Sequence, residues 1–259
     1  MGNHRKYFIG QTYSVPDGDF TILELDMDTY KHAVVKWCST GNLQRIRLDV
    51  IKLGKIKNPL HPSVEGVGYL GIGEYKANNR RRYNSWASML ARCYRKRLKE
   101  KYPTYLDCST IEDWHNYQAY AEYYESDRFR QDGWHLDKDL LIKGNKLYSP
   151  ETCIFLPKEL NNSGLSFEST ASKHGYKGVA VCPRSGKWMS VIWSNKTLSS
   201  KTTGGRYMDI KDAAIDHLAG EIQKINFLIE NYDGIIDPRG INAFYERIGQ
   251  LENEMGVIK

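Results

Sequence analysis

The stretch from Trp134 to Asn161, WHLDKDLLIKGNKLYSPETCIFLPKELN, limits what the chain can fold into more than any other. His135, Asp137 and Asp139 alternate with Leu136, Lys138 and Leu140. A period of two puts the imidazole and both carboxylates on one face of a strand, a face that no apolar residue of the strand shares. Lys143-Gly144-Asn145-Lys146 then reads as a hairpin turn, with Leu147 to Ser149 returning as the second strand. Pro150 opens another turn, Ile154 and Phe155 are apolar, and Pro157-Lys158-Glu159-Leu160-Asn161 reads as a helix start with proline near its first position. The predicted order is strand, turn, strand, helix. On pattern alone a solvated hairpin fits the same residues, and that reading stays open.

The run LDKDLLIKGNKLYSPETC and the order of elements around it resemble the ββα-metal core of the HNH nucleases, in the degenerate form of proteins related to phage homing endonucleases. Trp86 on a helix, the segment Pro103-Thr104-Tyr105, Cys108 and Trp114 precede the core as they do in that family, so the resemblance spans about residues 64 to 162. It implies a metal-dependent endonuclease that hydrolyses phosphodiester bonds in double-stranded DNA with Mg2+ or Mn2+. Carried over residue by residue, it makes Asp137 and Asn161 the metal ligands and puts Lys138 at the catalytic His position; the alternation adds Asp139 as a third candidate ligand and His135 to Asp137, Lys138 and Asn161 as a catalytic candidate. The family's middle Asn falls near Thr152 or Cys153.

Hard divalent cations take oxygen ligands and stabilise charge on the transition state, which Asp and Asn suit. The chain departs from the family at Lys138, which stands where the family has the His that activates water. A general base has to titrate near neutral pH, which suits His and not an ordinary Lys. His135, two residues early but on the face of Asp137, is the one His in the stretch. The departure keeps a second reading open, a decayed core in a phage factor that binds DNA or a host protein.

Between Lys76 and Lys101 there are ten Lys or Arg residues and one acid, Glu100. Tyr83, Trp86, Leu90 and Cys93 recur at helical spacing and are expected to face a core. That leaves Arg92, Arg95, Lys96 and Lys99 largely outward, with Arg80, Arg81 and Arg82 in the loop just before the helix, where they could follow a groove. Cations that neutralise phosphates release counterions, and so lopsided a run points to nucleic acid. A second helix is expected from Ser109, where Ser109-Thr110-Ile111-Glu112 matches a capping box, with Ile111, Trp114, Tyr117, Ala121 and Tyr124 as its apolar stripe.

Ahead of this region, Tyr7 to Val15, Phe20 to Leu25, His32 to Trp37 and Leu43 to Leu53 read as strands separated by turn-rich breaks. They suggest a small SH3-like β-barrel that could bind DNA, bind protein or merely dock. The following NPLHPSVEGVGYLGIGEY is a linker or extended arm, since its glycines fit neither phosphate-binding fingerprint.

Beyond Asn162 the composition turns to Ser, Gly and Thr until Lys173. Gly178-Val179, Gly186-Lys187-Trp188, Gly205-Arg206-Tyr207 and a helix capped by Asp209 with Ala213-Ala214 then follow one another, an order similar to the AP2 DNA-binding domain that accompanies some HNH homing endonucleases. That resemblance implies a three-stranded sheet laid in the major groove, with Arg184, Lys187, Trp188, Trp193 and Lys196 as contacts. An ordinary αβ unit with Trp188 in its core is the alternative. A last amphipathic helix from Ile241 to Met255 is expected to pack on the one before it, or to serve a homodimer or host protein.

The expected class is therefore α+β, with an SH3-like β-barrel over 1–60, an HNH-like ββα-metal domain with its basic helix over 61–165, and an AP2-like domain with C-terminal helices over 166–259. Composition excludes little but agrees. A formal charge of +6 favours a polyanionic partner, five scattered cysteines form no C-x-x-C pair, and no apolar run approaches a membrane span. The start lacks a signal-peptide segment, so the expected location is cytoplasmic, that of the host cell for a phage protein.

Overall fold

A computed structural model describes residues 7–26, 31–161, 174–193 and 201–258. The chain is mixed α+β and divides into two compact units, residues 1–106 with 110–123, and residues 107–109 with 124–259.

The first unit begins with β1 (Thr12–Val15), β2 (Gly18–Leu25), β3 (His32–Trp37) and β4 (Leu43–Arg47), paired antiparallel in chain order. Alternation dictates the core, because Phe20 sits opposite Trp37 and Ile22 opposite Val35, and all four are buried. Gly18 at the first hairpin holds φ +118°, a conformation that favours glycine. Beside it, the buried Asp17 carboxylate accepts hydrogen bonds from Lys57 Nζ at 3.0 Å and the Asn58 N–H at 3.2 Å, tying the hairpin to the outgoing chain. The expected barrel does not close. Among the described residues β1 and β4 do not pair, and the chain after Arg47 turns into the short helix α1 (Leu48–Lys52), which packs Leu48 and Ile51 under the sheet.

The glycines of the arm let its backbone press against the following elements. A Cβ on Gly68 would lie 2.3 Å from Leu90 Cδ1, and one on Gly71 (φ +72°) 2.0 Å from Asn116 Oδ1. The basic helix α2 (Arg80–Tyr94) is capped by the Asn79 side chain, which accepts from the Arg82 N–H, and buries Trp86, Met89, Leu90 and Cys93. After a break at Arg95 comes α3 (Lys96–Lys101).

The expected helix from Ser109 starts later. Ser109–Thr110 is extended as β5, with the Ser109 N–H donating to the Lys146 carbonyl, and a 3-10 turn over Glu112–His115 follows. The α-helix, α4 (Tyr117–Ser126), begins only where the Asn116 carboxamide accepts from the Gln118 N–H. Backbone pairing of Ser109 thus overrides the capping-box pattern, while Trp114, Tyr117, Ala121 and Tyr124 are buried as the stripe required.

The second unit continues with β6 (His135–Asp137), β7 (Leu147–Tyr148), β8 (Ile154–Leu156) and α5 (Lys158–Asn161). After residues 162–173, which lie outside the described set, come β9 (Val179–Val181), β10 (Trp188–Trp193) and β11 (Lys201–Tyr207), in the order β11-β10-β9. Helices α6 (Ile210–Tyr232) and α7 (Pro238–Ile258) complete it, α6 capped by the Asp209 carboxylate as its sequence foretold. Ile154, Leu156 and Leu160 share one core with Leu218, Ile225, Leu228, Phe244 and Leu251. Packing therefore runs across the boundary expected near residue 165, because a three-residue strand and a four-residue helix bury too little area to stand alone.

Arg239 at the start of α7 ties that helix to the segment between β7 and β8. Its guanidinium donates to the carbonyls of Pro150 (2.9 Å), Glu151 (3.4 Å) and Cys153 (3.3 Å) and pairs with Asp237 at 2.6 Å. A charged donor fork spread over several acceptors contributes more than one neutral bond, even half exposed. Arg239→Ala is expected to cost about 2 kcal/mol of stability and to speed amide exchange in residues 150–153. Unchanged denaturation and exchange would show the fork to be dispensable.

Candidate functional site

β6 pairs antiparallel with β8 and not with β7, which corrects the expected hairpin. His135 lies opposite Leu156, Leu136 opposite Phe155 and Asp137 opposite Ile154. The two strands and α5 still follow one another as strand, strand, helix, with the whole 138–153 segment looping between the strands. Partners in an antiparallel pair project to the same side, so the His135 and Asp137 face also carries the buried Ile154 and Leu156. The expected polar face is thus half apolar.

The loop is closed by its own polar side chains. Asp137 Oδ1 accepts from the N–H groups of Asp139 (3.0 Å) and Leu140 (2.8 Å), a turn cap immediately after the strand. Lys138 is 4% exposed, and its ammonium donates to Asp139 Oδ1 and, at 2.9 Å, to the Asn145 carbonyl, beside the ring of Tyr148. Asn145 returns the contact through Nδ2 to the carbonyls of Lys138 (2.9 Å) and Leu147 (2.7 Å), and its Oδ1 accepts from the Leu147 N–H. Thr152 Oγ1 fixes the far side by donating to the Leu147 carbonyl at 2.7 Å. The sequence shows Asn145 only as a turn former. Its place in the Gly-Asn dipeptide was the sole signal of this larger role.

Burial raises the Asp137 carboxyl above the ordinary carboxylate range, against the pull of the Leu140 and Asp139 amides. Burial also pushes the neighbouring Cys153 thiol up to about 12, which removes it as a thiolate. A carboxyl with a raised folded pKa stabilises the fold while protonated, and that contribution is lost as pH rises through the raised value. Asp137→Asn keeps an oxygen for both amides without the desolvated charge. In EDTA the variant is expected to melt no lower than wild type at neutral pH, with its relative stability improving as pH rises. A wild type clearly more stable than the variant at pH 7 would contradict this.

Among the described residues no three His, Cys, Asp or Glu side chains are grouped as a metal site. The candidate ligand oxygens divide. Asp137 Oδ2 makes no hydrogen bond among the described residues, and Asn161 sits on α5, which packs beside β6; both offer the kind of oxygen that a hard cation takes. Asp139 does not fit, because the Lys138 ammonium already holds its carboxylate. Nor can Lys138, buried and engaged, move to meet a water. His135 is half-buried on the Asp137 face.

The basic run divides too. Arg82 is buried, donating to the Tyr117 hydroxyl (2.9 Å) and the Lys76 carbonyl (3.2 Å) beneath the ring of Tyr75, so it is structural and not a DNA contact. Arg95 is bonded to Glu65 and Lys99 to the Leu106 carbonyl, while Arg92 lies beside the ring of Tyr105. Arg80, Arg81, Lys96, Arg97 and Lys101 are exposed. Helical spacing alone gives Arg97 and Lys101 no special place in the run; the break at Arg95 exposes them.

In the C-terminal sheet Trp188 packs with Val179, Ala213 and Ala214, and Trp193 is buried against Phe227 with ring centroids 4.9 Å apart. Both tryptophans serve the core, as the alternative reading of Trp188 had it. Arg184 and Lys187 are exposed on the β9–β10 hairpin, and Lys196 lies outside the described residues. Arg206, opposite Met189 and exposed, joins them on the side away from α6. The unforeseen polar anchors lie beneath: Asp216 accepts from Ser190 and from the Gly205 N–H, and the buried His217 Nδ1 is 2.5 Å from the Val191 carbonyl. No helix among the described residues is long and apolar enough to cross a membrane. Comparison with protein-family models, with curated proteins and with solved structures returns no match for the chain.

Proposed function

We propose that the protein binds DNA through the cations of α2 and α3 and, with one Mg2+ or Mn2+, hydrolyses phosphodiester bonds at the β6–β8–α5 unit. The observation that carries the binding half is the exposure of Lys96, Arg97 and Lys101 on a segment whose one acid is Glu100. For the chemistry, Asp137 Oδ2 and the Asn161 carboxamide would hold the cation, which when bound supplies Lewis acidity at the phosphate. His135 Nδ1 or Nε2 would take the proton of the attacking water, since Lys138 is committed to Asp139 and Asn145. In the AP2-like sheet, Arg184, Lys187 and Arg206 would be the groove contacts.

A second reading has its own observation. Lys138 fills the loop with its side-chain nitrogen bonded to the Asn145 carbonyl and to the carboxylate that would otherwise help bind a metal, as a core kept for its fold and not its chemistry would have it. Supercoiled plasmid incubated with Mg2+ or Mn2+, with EDTA as control, separates the two. Relaxed or linear product that EDTA suppresses supports the endonuclease. DNA retention without product in either metal supports the binding protein, and neither retention nor product sinks both.

A further inference from the structure

Past α3 the chain makes one 3-10 turn, Pro103–Tyr105, and leaves aromatic surface uncovered at the end of the basic run. Tyr102 is 43% exposed and Tyr105 half-buried behind it, the rings meeting edge to face with centroids 6.1 Å apart. Cations surround them: Lys101 Nζ lies 5.1 Å from the Tyr102 ring centre and Arg92 Cζ 6.0 Å from that of Tyr105. The turn is held in place. Tyr105 and Leu106 donate their N–H groups to the carbonyls of Tyr102 and Pro103, and Lys99 Nζ donates to the Leu106 carbonyl at 2.9 Å. A platform fixed in advance loses little freedom when a ligand settles on it.

In an intact duplex every base face is hidden by its neighbours, so a ring beside phosphate-binding cations finds only backbone and groove edges. An unpaired base offers its face. Aromatic rings beside a positively charged track are how proteins hold single strands without reading their sequence. We infer that Tyr102, backed by Tyr105 and flanked by Lys101, with Arg92 beside Tyr105, is a stacking platform for an unpaired DNA base. The preferred ligand of the basic segment is then single-stranded or locally opened DNA. This deepens the proposal that α2 and α3 bind DNA and rests on it.

The test uses the full chain and a short oligonucleotide carrying 2-aminopurine, offered as a single strand, as a duplex and as a duplex with a mismatched bubble. Wild type should bind the single strand and the bubble more tightly than the duplex and change the 2-aminopurine fluorescence. Tyr102→Ala should weaken single-strand binding about tenfold and abolish the fluorescence change, leaving duplex affinity and the salt dependence as they were. Tyr102→Phe, which keeps the ring, should retain both. Salt-dependent DNA binding with no loss of single-strand affinity on Tyr102→Ala would overturn the platform and spare the DNA-binding reading. No salt-dependent binding to any of the three DNAs would overturn that reading along with it. Tighter binding of RNA of the same sequence would overturn the assignment to DNA.

Discussion

Raising salt from about 50 to 200 mM is expected to weaken DNA binding by about 10³-fold or more, provided roughly six or more phosphates are contacted. The basic run of the first unit supplies the exposed Arg80, Arg81, Lys96, Arg97 and Lys101, and the C-terminal sheet separately supplies Arg184, Lys187 and Arg206. Each phosphate neutralised in a duplex adds about 0.9 to the slope of log affinity against log salt. Replacing Lys96, Arg97 and Lys101 together by Ala should therefore flatten the slope by nearly three and lower affinity for all sequences alike. Arg82→Ala behaves differently. It takes from the Tyr117 hydroxyl oxygen its buried donor and from the Lys76 carbonyl one of two, the Tyr117 hydroxyl being the other, so it should lower the melting temperature before it alters binding. A slope unchanged by the triple replacement would remove α3 from the DNA footprint.

Most local caps and stripes are legible in the sequence, the Ser109 capping box excepted, and long-range pairing is not. Asp209 caps α6, the α2 stripe buries Trp86, Leu90 and Cys93, and three strands precede the Ala213-Ala214 helix, because each depends on residues a few positions apart. Periodicity could not say whether β6 would pair with Leu147-Tyr148 or with Ile154-Phe155-Leu156. The second partner wins by burying all three of its side chains, partly beneath α6 and α7, whose contributions lie some 60 to 100 residues further along. Lys138 was harder still. A lysine in an alternating polar strand reads as solvated, and only the closed loop reveals that Asp139 and the Asn145 carbonyl await its ammonium. Arg82 was lost in the basic run for the same reason, its partners Tyr117 and Tyr75 being invisible to a charge count.

The proposed chemistry turns on the strand where Asp137 is both a turn cap and a candidate ligand. Asp137→Asn keeps the oxygen that serves the Asp139 and Leu140 amides but removes the anionic one, so plasmid cleavage is expected to disappear while DNA retention and melting persist. Asp137→Ala loses the cap as well and should also destabilise the loop, by about 1 kcal/mol. His135→Ala should slow cleavage by about 10² to 10⁴ if its imidazole takes the proton from water, since that is the usual cost of losing a general base. Lys138→Met fills the same buried space without the charge and frees the Asp139 carboxylate. If Lys138 blocks a third ligand, the variant should cleave at a lower metal concentration than wild type. Equal activity in wild type and Asp137→Asn would exclude this carboxylate from the chemistry and leave β6 as the wall of a core in which His135 and Lys138 serve the fold alone.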